Sequence, residues 1–364
     1  MTRLLELLIS FAIVAVLFLI VGVVLPSTRH LEESVETNRK MTIVYDTLNS
    51  VRRFKDWNPL VLRDPKMQIK LGEKQEGVGA RLDFVSEQPA IGTGYWEITK
   101  TEPNKSVAYK IEDAQRGGNK RTEFTLAPTG QRQRNVKITQ SYDVDYGWDI
   151  LGRYAGMYVS SNVGDDIKLG LSRLSNMLAT VPNQDYSTLS ATDPAMGPRL
   201  SQRPAENLLV VTAAIDRAKV QAQIKSNIEW IDKVIAANGL AKAGPLRIIT
   251  NELGADMYSF DVAQPVRKSG ATGEDAAAAA IETDGKIDVT VQGPVEARYV
   301  EPARIATASF KGDMRQLPSI RDTLRAWALT RGYETVDRPY ENWKSGVDPS
   351  FTGQGDFDVF WVLK

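Results

Sequence analysis

The chain of 364 residues holds one histidine, His30, and no cysteine. These two counts remove much of the usual catalytic and metal-binding chemistry. Without thiols there are no disulfides, thiolate zinc sites, iron–sulfur clusters or cysteine nucleophiles. One histidine builds no His-rich metal site. It is also the sole candidate base for a Ser-His-Asp arrangement, and it stands just behind an apolar terminal segment. No metal or cofactor is expected. Lys plus Arg and Asp plus Glu number 45 each, so the formal charge is zero. That argues against a general nucleic-acid binder, which needs a basic surface to displace counterions. No catalytic constellation stands out.

The elements that must position the remaining chemistry begin with a membrane segment. Residues Leu4 to Leu25 form an apolar run with one charge, Glu6. At 1.5 Å per residue the run spans roughly 30 Å, the thickness of a bilayer's hydrocarbon core. A cleaved signal would be shorter and end in a small-x-small site. This run ends in Val23-Val24-Leu25-Pro26-Ser27 and reads as an uncleaved single-pass anchor in the inner (cytoplasmic) membrane. Arg3 precedes it, and Arg29, Arg39 and Lys40 follow it among Glu32, Glu33 and Glu36. A short stub ahead of a large body predicts the body on the periplasmic, extracytoplasmic side.

Residues 27–182 read as one domain. His30–Glu36 alternates as a strand does, and Met41–Phe54 carries Val44, Leu48 and Val51 at helical spacing. Asn58-Pro59 ends that helix. Strand-like pieces follow at Met67–Leu71, Ala80–Ser86, Gly94–Thr101, Ser106–Ile111, Arg121–Leu126 and Val136–Tyr142, separated by turn residues. A long helix, Trp148–Leu178, presents a stripe of Leu151, Tyr154, Tyr158, Val163, Ile167, Leu171, Leu174 and Leu178. The predicted class is α+β, a curved antiparallel sheet on a long C-terminal helix.

This order resembles the START-like, polyketide cyclase/dehydrase superfamily. The local matches are Lys55-Asp56-Trp57-Asn58-Pro59, Gly94-Tyr95-Trp96-Glu97-Ile98, Val163-Gly164-Asp165-Asp166 and Gly170-Leu171-Ser172-Arg173-Leu174. The resemblance implies a helix-grip fold around a cavity for lipids, hormones or aromatic polyketides. Trp96, Tyr154 and Tyr158 are its candidate wall, with core packing as the alternative reading for them and for Trp57.

Residues 183–207 are rich in Pro, Ser, Thr and Asn without an apolar period and read as a linker. From 208 to 364 the sequence repeats itself. Leu208–Val266 and Ala303–Lys364 each give strand, helix, strand, strand. Ile224, Ile228, Ile231 and Ile235 mark the first helix, and Leu317, Ile320, Leu324 and Ala328 the second. Gly239 and Gly332 suit left-handed caps. A flexible insert, 267–288, includes the Gly/Ala/acidic tract Gly270–Ala280. This duplicated β-α-β-β pattern predicts a pseudo-twofold domain with a groove between its helices.

The second half resembles the gyrase-inhibitor-like (GyrI-like) effector-binding domain of multidrug-sensing activators, through Arg331-Gly332-Tyr333, Arg338-Pro339-Tyr340-Glu341 and Asp358-Val359-Phe360. It implies a groove for flat, apolar, often cationic molecules with a buried glutamate among aromatics. Glu341 takes that place, with a half-exposed strand glutamate paired with Arg338 or Arg247 as the alternative reading. Trp343, two residues on, shares its strand face. Tyr258, Tyr299, Trp327, Asp358 and Phe360 are further groove candidates. No helix-turn-helix precedes the domain, which disfavours a transcription factor.

Three functions fit. The first is membrane-anchored binding of small hydrophobic, cationic or lipid-like molecules through two cavities. The second is a hydrolase or cyclase, with Glu341 as a general base raised by burial. The third is a protein-interaction module with filled cavities.

Overall fold

The computed structural model describes residues 2–191, 193–269 and 285–364. The tract Gly270–Ala280, predicted as a flexible insert, lies outside the described residues. Two units emerge: residues 1–183 with 330–332, and residues 184–329 with 333–364. The class is mixed α+β with curved antiparallel sheets.

The first unit opens with helix α1 (Thr2–Val24). Its residues Arg3–Val24 are long and apolar enough to cross a membrane. Strands β1 (Thr28–Thr37), β2 (Gln68–Leu71), β3 (Arg81–Val85), β4 (Thr93–Glu102), β5 (Ser106–Glu112), β6 (Gly118–Thr129) and β7 (Asn135–Asp145) form one antiparallel sheet in the order β1-β7-β6-β5-β4-β3-β2. Side chains alternate inward and outward, as the two-residue period requires. On β7 the inward row is Val136, Ile138, Gln140, Tyr142 and Val144.

The predicted first helix stops early. Helix α2 (Met41–Leu48) is followed by Ser50, which bridges to Glu76 and donates to the Gln75 carbonyl at 3.1 Å. Short helices α3 (Phe54–Trp57) and α4 (Leu60–Arg63) then flank Asn58-Pro59. The predicted long helix divides into α5 (Ile150–Ala155), a 3₁₀ turn at Gly156–Tyr158 and α6 (Val159–Ala179). Ile167, Leu171, Leu174 and Leu178 of its stripe are buried, whereas Leu151 and Tyr158 face outward.

The reason for the break lies in α5, which grips the end of α1. The Tyr154 ring stacks on Phe18 with centroids 4.4 Å apart, and its hydroxyl donates to the Phe18 carbonyl at 2.8 Å. The Arg153 guanidinium is held by the Gly147 carbonyl and donates to the carbonyls of Val23 at 2.8 Å and Leu25 at 3.3 Å. These bonds satisfy acceptors that a helix end leaves without intrahelical partners. Gly22 permits the approach, because any Cβ there would collide with Ile150.

The grip's interior is aromatic. Phe54, Trp57, Trp96, Tyr109 and Phe124 pack edge to face, with centroids between 5.1 and 6.5 Å apart. This is the geometry ring quadrupoles favour. The Tyr109 hydroxyl donates to the Leu48 carbonyl, and burial pushes it above the usual phenol range.

Among its described residues the second unit has nine antiparallel strands: β8 (Arg199–Arg203), β9 (Glu206–Asp216), β10 (Leu240–Lys242), β11 (Leu246–Leu253), β12 (Met257–Lys268), β13 (Glu296–Val300), β14 (Ala303–Gly312), β15 (Thr335–Trp343) and β16 (Gly355–Leu363). Eight run in the order β13-β9-β12-β11-β15-β16-β14-β8, and β10 pairs with β12. Among the described residues its helices are α7 (Val220–Ala237), α8 (Leu317–Thr330) and α9 (Val347–Phe351). Part of the predicted linker is strand β8, which pairs with β14. Gly239 and Gly332 have φ of 58° and 79°, the left-handed region glycine enters freely.

Candidate functional site

In the first unit a cavity of about 90 Å³ lies beside the aromatic cluster. Trp57 reaches it from α3, Trp96 from β4, Gln140 and Tyr142 from β7, and Ile167 from α6. The Nε1 atoms of Trp57 and Trp96 and the Oε1 atom of Gln140 are buried without a partner. Gln140 uses its amide nitrogen on the Thr122 hydroxyl at 3.1 Å. Two indole donors and one amide acceptor, all on residues that border the cavity, thus have no partner among the described residues. Leaving such groups unpaired costs roughly 1–3 kcal/mol each.

Charge gathers at the rim. Asp166 of α6 meets Arg63 of α4 at 2.6 Å, and burial, opposed by Arg63, raises its carboxyl above the usual range. Lys120 is buried against Asp113 and donates to the Gln115 carbonyl at 2.8 Å.

Of the three wall residues expected here, Trp96 borders the cavity. Tyr154 and Tyr158 require correction. Tyr154 belongs to the grip on α1, and Tyr158 is 63% exposed. Helical spacing placed both on the α6 stripe, but the 3₁₀ turn rotates them off it.

In the second unit Glu341 of β15 is fully buried. Both its oxygens accept from the Arg321 guanidinium of α8, through Nε and, at 3.1 Å, through the second nitrogen. Arg321 also donates to the Tyr258 hydroxyl at 3.4 Å, and Thr250 meets that hydroxyl at 2.8 Å. Burial pushes the Tyr258 hydroxyl up. Burial alone would lower Arg321, but the adjacent carboxylate holds it above its ordinary value.

Tyr258 and Arg321 line a cavity of about 380 Å³, and Glu341 sits behind Arg321. Trp343 stands behind the lining residue Phe351, with ring centroids 5.9 Å apart. The other groove candidates lie elsewhere. Phe360 stacks on Tyr340 at 4.7 Å, and Asp358 accepts from Ser309 at 2.7 Å. Trp327 packs on Tyr333, and Tyr299 lies on strand β13 at the sheet's edge.

Arg321 and Gln140 were missed, though both leave a signal. Arg321 interrupts the apolar stripe between Leu317 and Leu324, and Gln140 interrupts the inward row of β7.

Among known proteins, residues 28–178 match the family of polyketide cyclases/dehydrases and lipid transport proteins. Residues 28–178 are a polyketide cyclase/dehydrase domain. No curated protein matches the chain. Among solved structures, the C-terminal domain of EcmrR is 15% identical with a TM-score of 0.35, covering 46% of this chain and 96% of that one. Protein CV1439 from Chromobacterium violaceum is 16% identical with a TM-score of 0.31, covering 42% and 97%. The Zhui aromatase/cyclase from Streptomyces sp. R1128 is 15% identical with a TM-score of 0.32, covering 42% and 94%. In the polyketide cyclase/dehydrase domain the 90 Å³ cavity, between α6 and the sheet, is the candidate ligand site.

Proposed function

We propose that this is a membrane-anchored binding protein. Residues 3–24 serve as a single-pass anchor with the body outside the cytoplasm. The polyketide cyclase/dehydrase domain encloses a small, mainly apolar molecule carrying a hydrogen-bonding group. The unpaired Trp57 Nε1, Trp96 Nε1 and Gln140 Oε1 carry the reading. A ligand that accepts from an indole and donates to the amide oxygen would satisfy them, while its ring meets aromatic walls.

Size narrows the class. A cavity of about 90 Å³ compares with the roughly 150 Å³ that admits benzene in an engineered apolar cavity. A single ring is therefore near the limit. A polyketone chain does not fit between the grip and α6 as they stand, which weighs against the cyclase reading. The hydrolase reading fares no better. With Arg321 engaging both oxygens of Glu341, neither a general base nor a cation-selecting charge is free there.

The second unit fits a duplicated, GyrI-like arrangement. The order β9-β12-β11 is answered by β14-β16-β15, each with its helix after the first strand, and the halves meet at β11 and β15. This order supports the reading.

The test is a thermal-shift titration of the full chain in detergent micelles with phenol, benzaldehyde and toluene. Phenol and benzaldehyde should raise the melting temperature more than toluene, since a ligand preferring the native state stabilises by mass action. Trp96→Phe keeps a ring but removes one donor, and should weaken benzaldehyde about fivefold, the worth of one neutral hydrogen bond. Equal shifts for toluene and benzaldehyde would remove the polar part of the proposal.

A further inference from the structure

The cavity of the second unit is lined by arginines and not by the carboxylate that its buried glutamate first implies. Three arginines line it, Arg217, Arg315 and Arg321, and no carboxylate does. The nearby acids are already engaged. Glu341 is bound by Arg321, and Asp313 accepts from the Arg315 guanidinium at 2.7 Å and from its backbone N–H at 2.8 Å. Arg315 holds the Asp313 carboxyl down to about 2, so that pair persists across the neutral range. Arg217 donates to the Ala255 carbonyl at 3.2 Å and pairs with no carboxylate among the described residues.

Two helices start at the same place. Helix α7 begins at Val220 after a 3₁₀ turn holding Arg217, and α8 begins at Leu317 after a 3₁₀ turn holding Arg315. The first residue of α7 and the second of α8, Pro318, are both in the lining. No side chain caps α7. Helix N-termini offer free N–H groups and the positive end of the dipole. Arg217, which pairs with no carboxylate among the described residues, and the uncapped start of α7 therefore add in sign, whereas Asp313 caps the start of α8 and pairs with Arg315, and the apolar wall beside them is Val220, Met314, Pro318 and Phe351.

We infer that this cavity binds an alkyl carboxylate. The head lies between Arg217 and Arg315 at the start of α7, and the tail runs along the apolar wall toward Phe351. Arg321, neutralised by Glu341, closes the floor and positions Tyr258. The inference concerns a second site and does not rest on the reading of the first unit.

The experiment is calorimetric titration of the full chain in phosphatidylcholine nanodiscs, with empty discs subtracted, using octanoate, octyltrimethylammonium and octan-1-ol. Octanoate should saturate one site, octanol should bind at least about tenfold more weakly, and the ammonium compound should not saturate. Arg217 and Arg315 are exposed, so their removal leaves the fold intact, which melting of each variant checks. Arg217→Gln with Arg315→Gln should weaken octanoate about tenfold or more, as loss of charged hydrogen bonds requires, and leave octanol unchanged. Arg217→Glu with Arg315→Glu should move the preference to the ammonium compound. The inference is overturned by octanol or the ammonium compound binding as tightly as octanoate. It is equally overturned by octanoate affinity that ignores the glutamine pair, or by no saturable octanoate binding.

Discussion

Replacing Arg321 with methionine should lower the melting temperature of the second unit by roughly 6–20 °C. The substitution preserves much of the side-chain volume and removes the partner of a carboxylate with no solvent exposure. Breaking a buried pair by removing one member costs about 3–5 kcal/mol. At roughly 2–4 °C per kcal/mol for a unit of this size, the shift follows. Combining Arg321→Met with Glu341→Leu removes both charges and should restore at least half of the loss, since apolar replacement of a buried pair is often neutral or better. Differential scanning calorimetry of the three chains tests this. An unchanged melting temperature for Arg321→Met would mean that the pair does not hold the unit together.

The second large effect is expected at Phe124, in the aromatic cluster of the first unit. Phe124 is fully buried and lies edge-on to Trp57 and Tyr109, with centroids 5.6 and 6.0 Å away. Phe124→Ala should cost about 3–5 kcal/mol, the transfer of a ring plus the hole it leaves. Because Trp57 also borders the native cavity, the new void should join it and widen the range of ligands. Naphthalene-sized compounds, too large for about 90 Å³, should then raise the variant's melting temperature while leaving the wild type unmoved. Chemical denaturation reads the first effect and thermal shift the second. A variant that loses stability but admits nothing larger would show that the cluster and the cavity are separate.

How much was legible in the sequence follows from what each signal depends on. The alternation of His30–Glu36 in β1 and the spacing of Ile167, Leu171, Leu174 and Leu178 depend on burial against one partner, and both are seen in the structure. The apolar run from Leu4 to Leu25 is likewise a local property and corresponds to α1. Tyr154 and Tyr158 obey the same helical period, yet Tyr154 is spent on a different partner, because the α1 terminus competes for α5, and Tyr158 faces outward. Periodicity says that a side chain is covered and not by what. Glu341 is a second instance. The resemblance implies a buried glutamate and the strand pattern a half-exposed one, and its partner comes from α8, 20 residues earlier. No spacing rule links a strand residue to a helix residue on another layer. The unpaired indole nitrogens of Trp57 and Trp96 are the extreme case, since a donor without a partner leaves no mark in composition at all.

The most direct measurement of the central claim is the indole spectrum of the full chain with ¹⁵N-labelled tryptophan, titrated with phenol. Seven tryptophans give seven side-chain N–H signals. Trp57 and Trp96, assigned by substitution to Phe, should move downfield together as their free N–H groups gain an acceptor, while exposed Trp148 stays fixed. Binding of phenol with the Trp57 and Trp96 signals unmoved would contradict the account, because the ligand would then lie outside the grip.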